Sequence, residues 1–125
     1  MTKLYQNYIS GKFVEHAASD TIEVRNPATH ELLAFIPETP PELVNDAVDA
    51  ARKAQSAWGK LPAIQRAVHL RKIAEKIRDN KDKLAEIITR EQGKTLGLAK
   101  VEVDFTADYI DYMAEWARRI EGEVI

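Results

Sequence analysis

The apolar positions of this 125-residue chain change rhythm near Thr39. Before it they alternate with polar residues or cluster in short runs. After it they recur at the three- and four-residue spacing of a helix face. Tyr8-Ile9 and Phe13-Val14 flank Ser10-Gly11-Lys12, which predicts a hairpin whose turn uses Gly11 for a positive φ. Residues 21–24 (Thr-Ile-Glu-Val) predict a second strand. Asn26-Pro27 ends it, because proline has no amide hydrogen to give a ladder. Residues 28–31 read as a turn, and residues 32–36 as a strand closed by Pro37.

Thr39 is placed to cap a helix, Pro40 to fill its first turn and Glu42 to complete a capping box. Val44, Ala47, Val48, Ala51, Ala54 and Trp58 then form one apolar stripe, with Gly59 as terminator and Pro62 as the break. A second helix is predicted over 63–78, with Ile64, Ala67, Leu70, Ala74 and Ile77 inward, interrupted by Asp79-Asn80. A short third helix turns Leu84, Ile87 and Ile88 inward and ends at Gly93. The last helix runs over 96–120. Its inward stripe is Leu98, Val101, Phe105, Tyr109, Tyr112, Met113, Trp116 and Ile120, and Gly122 closes it. At about 1.5 Å per residue such a helix is long for so small a domain, and its apolar face calls for a substantial partner. Val124-Ile125 read as the start of a further strand.

Composition narrows the picture. Apolar residues at 45% suffice for a core, and charged residues at 30% argue against disorder. A net charge of −2, with lysines and arginines dispersed among acids, gives no reason to expect nucleic acid or a membrane as partner. The basic residues Arg71, Lys72, Lys76 and Arg78 read as one solvated helix face. The chain has no cysteine, hence no disulfide, thiolate metal site or cysteine nucleophile. The N-terminus has no signal-peptide run and no segment suits a bilayer span, so a cytoplasmic protein is expected. His16, His30 and His69 are isolated, the first two expected in loops and the third on a helix surface. Glu102 and Asp104, two apart on a helix, diverge and make no acid/base pair. The residues alone thus support an α-rich domain with short N-terminal strands and no mechanism.

Six segments in order resemble the aldehyde dehydrogenase superfamily. They are Tyr8 to Val14 (Y-I-S-G-K-F-V), Val24 to Glu31 (V-R-N-P-A-T-H-E), the alanine-rich helix from Val44 to Trp58, Arg66 to Ile73 (R-x-x-x-L-x-x-I), Glu91-Gln92-Gly93-Lys94, and Glu102-Val103 followed by Tyr109 to Trp116. No one of them is specific, but six in order over nearly the whole chain are. The stretch from Val101 to Gly122 is most similar to the lactaldehyde/glycolaldehyde-type members.

The resemblance implies an α/β fold with a Rossmann-like NAD(P)-binding domain. Residues 1–125 would be its incomplete N-terminal lead-in, strand-rich over 1–38 and helical over 39–121. It implies oxidation of an aldehyde to a carboxylic acid with NAD or NADP, in a homo-oligomer. A cysteine nucleophile, an oxyanion asparagine and a water-activating glutamate would do the chemistry. None of these falls within this stretch, and neither does the glycine-rich cofactor strand. No catalytic or cofactor-binding residue is therefore assigned, and the chain alone is expected to be inactive and to bind no cofactor. Two carry-overs remain. A monovalent cation could bind the carbonyls of Val24 and Arg25 and the acid Glu91; alternatively Glu91 only hydrogen-bonds the turn. Val101 and Phe105 match positions lining the aldehyde tunnel; alternatively they are ordinary core residues. The competing reading is a natural short helical module that self-associates without enzymatic activity.

Overall fold

The computed structural model describes residues 3–14, 20–119 and 121–122. The chain divides into two compact units, Met1–Gly59 with Arg90–Gly93, and Lys60–Thr89 with Lys94–Ile125. The predictions for His16 and for a strand at Val124-Ile125 lie outside the described residues.

In the first unit, strands β2 (Asn7–Ile9) and β3 (Lys12–Val14) form an antiparallel hairpin that pairs Tyr8 with Phe13. Ser10 and Gly11 take φ values of 53° and 78°. Two consecutive left-handed residues make the turn whose twist matches the flanking strands. A three-stranded sheet has the order β1-β5-β4, from β1 (Lys3–Leu4), β4 (Thr21–Arg25) and β5 (Leu32–Pro37). β4 runs antiparallel to β5, as a short turn between them requires. β1 runs parallel to β5, a pairing without local signal that the sequence reading missed.

Helix α1 (Pro41–Lys60) corrects two expectations. Pro40, not Thr39, precedes it. The Pro40 carbonyl accepts the first amides, from Leu43 at 3.1 Å and Val44 at 3.2 Å, while the Thr39 hydroxyl accepts a 2.9 Å bond from Asn7 Nδ2. The helix also runs through Gly59 to Lys60. A glycine with ordinary helical geometry does not terminate, and Pro62 imposes the break. No residue of α1 is buried, and Val44, Val48 and Trp58 of its apolar stripe stay about half exposed.

The second unit is helical. α2 (Ala63–Asp79) packs along α4 (Leu96–Glu115) and the 3-10 turn Trp116–Arg118 that follows it. α3 (Lys81–Gln92) contributes Ala85 to a buried cluster with Ala99 and Val103, and Ile77, Leu84 and Ile88 close over it. Ile87, expected inward, is exposed.

The largest correction concerns α4. Its buried face is Ala99, Val103, Ala107 and Ala114. The stripe expected inward faces outward from Leu98 to Trp116, with Phe105 70% exposed against 0% for Ala107. Alanines let helix backbones approach closely, and the bulky residues cannot enter that seam. The helix thus has two apolar faces, one buried and one exposed. It ends at Glu115, tightening into the 3-10 turn, so Gly122 does not set its end; Ile120 lies outside the described residues.

Candidate functional site

Two of the six motifs meet in the first unit. Asn26 Oδ1 accepts from the amides of Ala28 (2.9 Å) and Thr29 (3.3 Å), its backbone amide donates to the Glu31 carbonyl, and its carbonyl accepts from the His30 amide. This side-chain-closed turn places His30 at φ 62°. The Arg25 guanidinium donates to the His30 carbonyl at 2.9 Å and to Glu23 at 2.7 Å. Arg90 donates to Glu31 at 3.2 Å, across 59 positions of sequence. Gly93, at φ 79°, ends α3 as expected, and its Cα faces the ring of Pro27.

The residues singled out for a cation sit around this corner. The β4–β5 register shifts between Val24 and Arg25, an interruption of the ladder at the two carbonyls in question. Glu91 lies two residues before the glycine that abuts Pro27 and is exposed. Among the described residues no three acidic, histidine or cysteine side chains cluster as metal ligands. Any cation here would rest on backbone oxygens with one carboxylate, a donor set suited to a hard cation.

In the second unit α4 carries charges along one flank. Arg78 reaches Asp108 and Asp111, each at 2.8 Å, and these hydrogen bonds, Asp108's first, raise its pKa above the ordinary arginine value. Arg78 is therefore an inter-helix tie and not simply part of a solvated basic face. Lys81 pairs with Asp104, Lys94 with Glu102, and Lys100 with Asp82 at 2.7 Å. Glu102 and Asp104 thus bind different lysines, as their divergence on the helix required. The Lys100 contact pulls the Asp82 carboxyl below its usual range.

Val101, 62% exposed, and Phe105 share their open face with Leu98, Tyr109, Tyr112 and Trp116. The rings of Tyr109 and Tyr112 lie 6.3 Å apart, and those of Tyr112 and Trp116 meet edge-on at 6.2 Å. The two residues are not core residues of the described structure.

The aldehyde dehydrogenase family profile matches residues 13–125. The chain belongs to the aldehyde dehydrogenase family. It is 52% identical over 118 residues to the lactaldehyde dehydrogenase of Escherichia coli K12, covering 94% of this chain and 25% of that one. The crystal structure of lactaldehyde dehydrogenase from Escherichia coli superposes with a TM-score of 0.97 at 49% identity, over 100% of this chain and 26% of that one. An NAD-dependent aldehyde dehydrogenase from Sinorhizobium meliloti matches with a TM-score of 0.90 at 34% identity, over 98% of this chain and 25% of that one. The chain therefore spans about a quarter of the length of the family members it matches.

Within the aldehyde dehydrogenase frame, contacts in the first unit bring together segments that the sequence presents separately. Arg90–Glu31 and the close approach of Gly93 to Pro27 tie the N-P-A-T-x-E turn to the end of α3 and the glycine of the E-x-G-K segment. Sequence reasoning missed these pairs; Arg66, which opens the R-x-x-x-L-x-x-I segment, has its Nε buried without a hydrogen-bond partner among the described residues. No helix is long and apolar enough to cross a membrane among the described residues.

Proposed function

We propose that this chain is the N-terminal lead-in of an NAD(P)-dependent aldehyde dehydrogenase that oxidises a small aldehyde of the lactaldehyde type to its acid. The overall change would be R–CHO + H2O + NAD(P)+ to R–COO− + NAD(P)H + 2 H+. The nicotinamide would accept the hydride when bound, and this stretch carries no cysteine to serve as the family's nucleophile. The part of the described residues is scaffolding: the turn at Asn26–Glu31 and the α4 helix fix the geometry against which a catalytic domain packs. The match to the E. coli lactaldehyde dehydrogenase crystal structure, a TM-score of 0.97 over the whole chain, is the observation that supports this reading. Two finer roles accompany it. The carbonyls of Val24 and Arg25 with Glu91 hold a monovalent cation that pins the motif corner, and Val101 and Phe105 line the route of the aldehyde.

The test is activity of the protein captured from its own cells with an antibody to this segment. Lactaldehyde-dependent formation of reduced nicotinamide is the expected result, and its absence with every small aldehyde would refute the proposal.

A second reading rests on the open apolar face of α4, where Phe105, Tyr109 and Trp116 are about half exposed or more. A chain presenting that face in water associates with copies of itself. Homo-oligomers without aldehyde oxidation would favour this reading.

A further inference from the structure

We draw no further inference here: the strongest candidate, the open apolar face that runs along α4 from Leu98 to Trp116 of the 3-10 turn, is an unpartnered helix surface, and nothing in the structure shows what covers it.

Discussion

Gly93 stands so close to Pro27 that a Cβ placed on it would lie 2.9 Å from the proline Cγ, inside van der Waals contact. Its φ of 79° is also one that side chains resist. Steric crowding and backbone strain therefore act together at the junction of two motifs. Gly93→Ala should destabilise the protein by about 1–3 kcal/mol, read as a lower midpoint in urea unfolding. An unchanged midpoint would show that the corner yields without cost.

Ser10 occupies the first left-handed position of the hairpin turn. Asparagine tolerates that conformation better because its short amide can bond the local backbone. Ser10→Asn should stabilise the hairpin by roughly 0.5–1 kcal/mol, seen as slower amide exchange at Ile9 and Lys12. Loss of protection there would contradict the turn geometry.

The two faces of α4 should answer oppositely to substitution. Ala107 is fully buried in the helix seam, so Ala107→Leu should cost about 1–3 kcal/mol by overpacking. Phe105→Ser, on the open face, should change folding of the 125-residue chain by less than about 0.5 kcal/mol. It should also lower that chain's tendency to self-associate, which sedimentation velocity measures directly. A stability loss from Phe105→Ser equal to that from Ala107→Leu would place the packing on the wrong face.

Acid should act on the Lys100–Asp82 contact. The hydrogen bond from Lys100, aided by its charge, holds the folded-state pKa of Asp82 below the unfolded value. The contact therefore contributes stability above the unfolded pKa of about 3.9, and loses it as pH falls through the lower folded value. Asp82→Asn should be slightly less stable than the parent at neutral pH, with the difference vanishing in strong acid and shrinking in high salt. The carboxylate is 85% exposed, so the effect is small. A difference that grows as pH falls would contradict the assignment.

The sequence made the elements legible wherever a local rule decides them. Gly11 marked the hairpin, Pro27 and Pro37 bounded strands, and Gly93 ended α3 at its positive φ. The facing of α4 was not legible, because that helix has two apolar faces and large aromatics dominate a periodicity reading. Ala99, Ala107 and Ala114 bury completely, or nearly so, because they are small, while Phe105 and Tyr109 stay outside. Site contacts were hidden for another reason. Arg90–Glu31 joins residues 59 apart, and no local pattern marks such a pair. The capping role assigned to Thr39 failed because the helix starts one residue later, after Pro40, while the Thr39 hydroxyl accepts from Asn7. Motif order, by contrast, indicated the family correctly, since it draws on the whole chain at once.

The central claim is that this chain is the lead-in of a larger aldehyde dehydrogenase. The most direct measurement is the size of the protein in its own cells, by immunoblot with an antibody to this segment. A band about four times the 14.1 kDa of this chain is the expected result, given that it covers 25–26% of the relatives it matches. A band at the size of the chain itself would contradict the account and leave a short self-associating helical protein in its place.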